Sequence, residues 1–182
     1  MNLYLDEVDS PLGAILVVTT EAGICGLEFA DRRQRLERML ARRFGHYELT
    51  PRPGVHAAAR RLREYFGGRL DALEDLPLDT AGTPFQQEVW STLRSIPAGE
   101  TRSYGDLAVT IGRPRAVRAV GAANGSNPIA IAVPCHRVVG SDGSLTGYAG
   151  GVDRKRWLLD HEGGPQSPRT ASARRSTSSS VL

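Results

Sequence analysis

The sequence predicts an α/β N-terminal domain, a β-meander plus helices, followed by a mostly α C-terminal domain with a helix-turn-helix and a candidate active-site cysteine. Three observations predict it. Short apolar, strand-like runs separated by turn residues fill the first thirty positions. After residue 100, two short helical patterns flank a Gly-containing turn, the arrangement of a helix-turn-helix. The run IAIAVPCHRVV, from Ile129 to Val139, then carries Cys135, His136 and Arg137 in the middle of apolar residues. Reactive groups in a buried-looking run are costly to place, and the simplest reason for them is a thiol held at the floor of a pocket.

Taken in order, Leu3–Val8, Ala14–Val18 and Ile24–Phe29 read as strands, split by turns at Ser10-Pro11-Leu12-Gly13 and Glu21-Ala22-Gly23. Asp31 is placed to cap a helix over 32–44, with Leu36, Met39, Leu40 and Phe44 on one face. A second helix fits 55–66, with Val55, Leu62 and Phe66 inward and Gly67-Gly68 ending it. Leu76–Leu78 is a short strand candidate. Residues 79–83 read as a linker. Thr83-Pro84-Phe85-Gln86 is a strong helix start: Thr caps, Pro takes the first helical position and Gln completes a capping box. Phe85, Val89 and Leu93 form its buried stripe. Ser103 with Asp106 starts another helix, which buries Leu107, Ala108 and Ile111 and stops at Gly112. Pro114 opens a third, to about Ala123. A last helix over 153–162 buries Trp157, Leu158 and His161, with Gly163 as its cap. The expected division is 1–78, linker 79–83, 84–164, and a disordered Ser/Pro/Arg-rich tail over 165–182.

Composition narrows the function classes. Of the 182 residues, 40% are hydrophobic and 24% charged, ordinary values for a globular protein. No apolar run approaches the roughly 20 residues of a membrane span, and the acidic N-terminus MNLYLDEVDS lacks a signal pattern. A cytoplasmic protein is therefore expected. Cys25 and Cys135 are too few for a disulfide framework or a four-thiolate metal site, and a reducing compartment suits them. Cys25, among Ile24, Leu27 and Phe29, reads as an inert core thiol. His46 and His56 lack ligand spacing. The net charge of +3 is unevenly spread: −2 over 1–83, +2 over 84–163 and +3 over the tail. Within 92–139 six Arg face only Glu100 and Asp106, a surface suited to phosphates. Lys155 is the single lysine among 23 basic residues.

The third C-terminal helix, PRAVRAVGAANGS, carries Ala116, Ala119, Gly121, Ala122 and Ala123, with Arg115 and Arg118 projecting. Two readings stand. One is a small-residue helix packed against a neighbour. The other is a helix that must approach a ligand surface closely. A recognition helix for the major groove uses long polar side chains, which this one lacks; small residues suit the narrow, degenerate minor groove. On that reading the helix binds duplex DNA without sequence choice, and Arg118 is a wedge or phosphate clamp.

Cys135 also leaves two readings. It is a buried thiol beside an incidental histidine, or a nucleophile. A free thiol has a pKa of about 8.5 and is mostly protonated at neutral pH, so a nucleophile needs help. His136 is adjacent, but in an extended segment neighbouring side chains point to opposite faces. A bridging water, or a turn after Pro134, would resolve this. His136 needs an orienting acid in turn, and Glu162 is the best candidate.

Asn127-Pro128 followed by Pro134-Cys135-His136-Arg137-Val138 resembles the active-site signature of the methylated-DNA–protein-cysteine methyltransferases, which remove alkyl groups from the 6-oxygen of guanine. Asp9-Ser10-Pro11-Leu12-Gly13, Thr83-Pro84-Phe85-Gln86, Thr101-Arg102-Ser103-Tyr104-Gly105, Arg118-Ala119-Val120-Gly121, Tyr148-Ala149-Gly150-Gly151 and His161-Glu162-Gly163 look like further landmarks of that family in order. The resemblance covers about 1–164. It implies that Cys135 takes the alkyl group, that His136 deprotonates it through a water, and that Glu162 holds the imidazole. Asn127 would brace the turn before the active-site segment. Tyr104 would orient the flipped nucleotide and help protonate the departing guanine. Arg118 would fill the gap in the base stack, with Ser103, Arg115, Ala116 and Ala119 on the DNA-binding surface. Val138, Tyr148, Ala149 and Gly150 would line the guanine pocket. The partner would be double-stranded DNA held through its minor groove by a monomer, with no cofactor and no metal. Ala149 replaces a hydroxyl residue of some relatives, which removes a side-chain bond to the base and leaves a backbone one. Cys25, His46 and His56 are too thin a set for the structural zinc some relatives carry. Two rivals remain: a non-catalytic lesion-binding protein of the same fold, whose relatives lack the reactive cysteine, and a cysteine hydrolase.

Overall fold

A computed structural model describes residues 1–52 and 57–163. The expected inward Val55, the start of its helix and the 165–182 tail lie outside the described residues. Strands β1 (Asn2–Val8), β2 (Ile15–Thr20) and β3 (Gly23–Phe29) form the expected antiparallel meander. Strand β2 runs two residues past its expected end at Val18, through Thr19 and Thr20 to the expected turn, and a register irregularity lies at Val18/Thr19. Helix α1 (Arg33–Phe44) follows, then β4 (Glu48–Pro51), which pairs parallel to β1 and makes the sheet mixed, in the order β3-β2-β1-β4. Nothing in Glu48-Leu49-Thr50-Pro51 alternates strongly enough to announce a strand. The expected strand Leu76–Leu78 is reduced to a bridge between Leu78 and Ile24.

Every residue of β2 is buried, because both sheet faces are covered. On one face Leu3, Leu16, Val18 and Cys25 meet Leu36 and Leu40 of α1. On the other, Val8, Ile15, Val17, Leu27 and Phe29 join a core shared with Ala58, Ala59 and Leu62 of α2 (Ala57–Phe66) and with the C-terminal half. Asp31 does not cap α1. A 3-10 turn over Ala30–Arg32 intervenes, no side chain caps the helix, and Asp31 instead binds Arg154 at 3.0 and 3.1 Å.

Helix α3 (Pro84–Arg94) has the expected capping box, with Thr83 and Gln86 bonding each other's backbone nitrogens. The two-residue β5 (Arg102–Ser103) leads into α4 (Tyr104–Thr110), whose capping box joins Ser103 and Asp106. Helix α5 (Val117–Gly125) begins three residues after Pro114, because residues 113–116 close a separate turn through Ala116 N–H donating to the Arg113 carbonyl. Trp90 Nε1 donates to the Ala123 carbonyl at 2.9 Å and fixes α5 against α3. Strand β6 (Val138–Val139) pairs parallel to β5, and α6 (Val152–His161) closes the fold with Glu162 as its C-cap residue and Gly163 at φ +69°.

The segment before β6 is not extended. Ala132 N–H bonds the Ala130 carbonyl, Val133 that of Ile129 and Cys135 that of Val133, and Cys135–Arg137 is a 3-10 turn. Ile131 adopts φ +68°, a strained conformation for a β-branched residue, worth about 1–3 kcal/mol. Burial of the whole run offsets that strain. The same run joins the two halves: Leu27 of β3 exchanges backbone bonds with Pro128 (3.0 Å) and Ala130 (2.9 Å).

A second tie is ionic. Glu28 is 1% exposed and pairs with Arg35 of α1, whose guanidinium also donates to the carbonyls of Gly125 (2.9 Å) and Asn127 (3.1 Å). Arg35→Ala should leave Glu28 buried without its cation and cost up to about 3 kcal/mol. Urea unfolding checks this, and a loss under roughly 0.5 kcal/mol would mean that the pair contributes nothing net.

Candidate active site

Cys135 is 5% exposed and its thiol accepts from Asn127 Nδ2 at 3.1 Å. The same Asn127 amide donates to the Val133 carbonyl at 2.8 Å, and its oxygen accepts from Ile129 N–H at 2.9 Å. Asn127 therefore braces the folded run and touches the sulfur it presents. Asn124, near the end of α5, reaches the Cys135 carbonyl at 3.5 Å.

The 3-10 turn carries His136 and Arg137 round to Glu162. His136 Nε2 lies 2.9 Å from Glu162 Oε1. Arg137 makes two bonds to the carboxylate, Nε to Oε2 and Nη2 to Oε1, each 2.9 Å, and Nη1 donates to the Ile96 carbonyl. Tyr65 of α2 donates to Oε1 at 2.6 Å. Burial opposes ionisation of Glu162, but the His136 bond and the bonds and charge of Arg137 outweigh it and hold the carboxyl well below the usual range. An ionised carboxylate only accepts, so His136 Nε2 carries the hydrogen and Nδ1 is left as the basic lone pair. Burial also pushes His136 below its ordinary value against the pull of Glu162, so the imidazole is neutral at pH 7.

Burial raises the Cys135 thiol, opposed by the Asn127 bond and by the charges of Lys155 and Arg35. The resting group is a thiol. Lys155, fully buried on α6, donates to the carbonyls of Val138 and Thr146, and burial brings it down to about 8. It ties the strand after the thiol to the following loop and leaves a cation near the sulfur.

That loop brings in the expected pocket residues. Tyr148 is buried with its ring edge-on to His136, centroids 6.5 Å apart. A Cβ on Gly150 would fall 2.6 Å from the Tyr148 ring and 2.8 Å from Phe29, so only glycine fits. Ala149 is half-buried between them, and Val138 is fully buried. Tyr104 of α4 is half-buried, bonds the Thr146 carbonyl at 3.3 Å and feels the sulfur's charge after its own burial. Among the described residues, three buried polar atoms make no bond: Asn124 Oδ1, His136 Nδ1 and Tyr148 Oη. Each such atom costs about 1–3 kcal/mol unless something bonds it. All three belong to residues bonded to, adjacent to or electrostatically coupled to Cys135.

The other candidates lie apart from this centre. Val117, Arg118, Ala119, Ala122 and Gly125 form the exposed face of α5, while Val120, Ala123 and Asn124 pack inward. The small residues thus face outward as well as inward. Arg115 is exposed and Ala116 half-buried in the turn before α5; Ser103 is the half-buried cap of α4.

Three residues of the network escaped the sequence reading. Arg137 lies inside the quoted motif, but an extended segment would have turned it away from His136. Lys155 had a usable signal as the only lysine of an Arg-rich chain: a compact ammonium fits two carbonyls where a guanidinium fork does not. Tyr65 had no local signal, since its partner is 97 residues away.

Comparisons with known proteins agree with this geometry. Residues 84–164 match the family model described as 6-O-methylguanine DNA methyltransferase, DNA binding domain, and residues 3–80 match its ribonuclease-like domain. A methylated-DNA–protein-cysteine methyltransferase of Shigella flexneri is 48% identical over 167 residues, covering 90% of this chain and 97% of that protein. One of Methanosarcina barkeri is 48% identical over 160 residues, covering 88% and 97%. The crystal structure of Mycobacterium tuberculosis O6-methylguanine methyltransferase superposes with a TM-score of 0.74 at 43% identity, covering 88% of this chain and 93% of that one. A structure of the Mycobacterium tuberculosis protein in complex with DNA gives 0.76 at 46% identity, covering 88% and 92%. With both parts of the fold matched and the thiol, imidazole and carboxylate assembled, the chain belongs to the methylated-DNA–protein-cysteine methyltransferase family.

Proposed function

We propose that the protein repairs duplex DNA by moving an alkyl group, methyl above all, from the 6-oxygen of guanine onto Cys135, once per molecule. The observation that carries this reading is the His136 ring. Its Nε2–H is tied to Glu162, and its buried Nδ1 lone pair has no partner among the described residues. His136 is thereby set to take the Cys135 proton through a bridging water. The thiolate then attacks the alkyl carbon. A C–S bond forms, the C–O bond breaks, and its electrons pass to the guanine. Tyr104 orients the nucleotide and helps pass a proton to the departing guanine, so that overall the proton lost by Cys135 balances the one the base gains. The thioether product has no easy leaving group, so the thiolate is not regenerated.

Residues 1–78 form the supporting α/β domain, 79–83 the linker and 84–164 the DNA-binding and catalytic domain. The guanine 6-oxygen is hidden in a duplex, so the nucleotide is flipped out at a cost of roughly a few kcal/mol. The exposed small residues of α5, with Ala116 and Ala119, lie against the minor groove with little sequence preference. Arg118 fills the vacated stack, and Arg115 and Ser103 contact the backbone. The flipped base enters between Val138 and the loop Tyr148-Ala149-Gly150, and the unbonded Tyr148 Oη and Asn124 Oδ1 lie beside it. The protein acts as a monomer in the cytoplasm, where its two free thiols stay reduced.

Incubation with duplex DNA labelled in the guanine methyl group tests the reading. Transfer of label to protein, at no more than one per molecule, is expected. Binding without transfer would favour the lesion-binding rival, and repeated turnover the hydrolase. Cys135→Ser should abolish transfer and change DNA affinity by less than about twofold; surviving transfer would place the acceptor elsewhere. Arg118→Ala should slow repair of duplex DNA by roughly tenfold to a hundredfold and leave reaction with free alkylguanine unchanged. Equal losses on both substrates would remove Arg118 from the flipping step.

A further inference from the structure

Tyr65 is the one side chain of the N-terminal half that bonds the Glu162 carboxylate among the described residues. It is 1% exposed and held to the end of α6 twice. Its hydroxyl donates to Glu162 Oε1 at 2.6 Å, and its own carbonyl lies 2.8 Å from His161 Nε2. Its ring stands edge-on to those of Phe66 and His161, with centroids 5.2 and 5.3 Å away. This double anchorage fixes where the hydroxyl points.

The carboxylate is unevenly used. Oε1 receives Tyr65 Oη, His136 Nε2 and Arg137 Nη2, whereas Oε2 receives Arg137 Nε. Three donors share the oxygen that holds the imidazole. Each withdraws electron density from the others, so the Tyr65 bond weakens the grip of Glu162 on His136. Burial, and then the charge and bond of Glu162, push the Tyr65 phenol far up. It stays a donor at every working pH.

We propose that Tyr65 is a positioning residue for alkyl transfer, setting the strength of the Glu162–His136 bond and bringing helix α2 into the active-site machinery. The inference rests on the reading of Cys135 as acceptor and His136 as base. It gives the N-terminal half a role in the chemistry beyond covering a core. Loss of the hydroxyl concentrates the carboxylate on His136 and stabilises the imidazolium. His136 then protonates at higher pH, and the acid limb of the reaction moves up.

The groups facing His136 are Glu162 at the end of α6, Arg137 on its own turn, Lys155 on α6, and the neighbouring Cys135 and Tyr148. Those facing Glu162 are His136, Arg137 and Tyr65, with His161 beside the Tyr65 ring. Tyr65→Phe alters one of these groups and keeps the ring. Glu162 retains His136 and Arg137, so no charge is left bare.

Single-turnover transfer from methylated duplex to the full-length protein, followed from pH 5 to 8, reads the acid limb. The ring-nitrogen NMR shifts of His136 read its titration without any transfer. Tyr65→Phe should move both upward by about half a unit to one unit. Leu62→Val, on the same helix and away from Glu162, should lower the melting temperature and leave both in place. An unmoved or downward His136 titration in Tyr65→Phe overturns the proposal, as does an equal upward move in Leu62→Val. Absent transfer in the unmodified protein would instead sink the acceptor reading, while the His136 titration still decides the Tyr65 bond.

Discussion

Glu162 sits inside the protein as an anion, and an anion there needs donors. It has four bonds, from His136, from Arg137 twice and from Tyr65. These fix more than a charge. They set the imidazole tautomer, because a carboxylate cannot donate to Nε2. They set the ring's orientation, because Nε2 must face Oε1. They draw α2 and α6 onto the 3-10 turn that presents the thiol. Without Arg137 the buried carboxylate would lose its main counter-charge and the protonated carboxyl would gain ground. The basic side of His136 would then no longer be specified.

Much of this architecture could be read from residue patterns, and what could not has physical reasons. The meander was legible because its turns carry Gly and Pro at the right places. The capping boxes at Thr83 and Ser103 were legible because their partners lie three residues away. The start of α1 was misread at Asp31, since a long-range ion pair with Arg154 competes for the same carboxylate and local spacing cannot register that contest. Strand β4 was missed because its register is set by β1, not by its own alternation. At the site, Cys135, His136, Glu162 and Asn127 were named from sequence, and a turn after Pro134, one of the two paths offered between them, is present as the 3-10 turn Cys135–Arg137. An extended reading of 129–139 separates His136 from its neighbours; the strained Ile131 and the tight turns that follow bring the two sides together. Tyr65 and Lys155 act through contacts that only the folded chain creates.

A nucleophile whose thiol is raised by burial looks poorly chosen. The opposition is informative. Burial keeps the sulfur protonated and shielded while no substrate is present, which protects a group that can be used once. The means to ionise it are at hand: the Asn127 amide on the sulfur, the Lys155 ammonium whose charge acts on it, and a neutral imidazole whose free nitrogen is basic. Forming a thiolate and an imidazolium adds no net charge to the interior. The new anion faces Lys155, and the new cation faces Glu162. The arrangement stabilises the separated pair far better than either charge alone.

The remaining requirement is distance. An alkyl carbon must meet the sulfur at bonding range, and a misplacement of about 1 Å can cost a hundredfold in rate. Helix α5 answers this through its own chain. Its exposed face carries Arg118, and its C-terminal end carries Asn124, which reaches the Cys135 carbonyl. Two residues beyond the helix, Asn127 holds the sulfur and both ends of the run from Ile129 to Val133. Trp90 and Arg35 pin the same helix end from α3 and α1. On the proposed reading, the element that seats the duplex and the group that attacks the base thus form one braced unit. On that reading a base displaced by Arg118 would meet a thiol already held by Asn127, two residues beyond that helix. Flexibility between the two would waste the energy spent on flipping, and the asparagine bonds remove it.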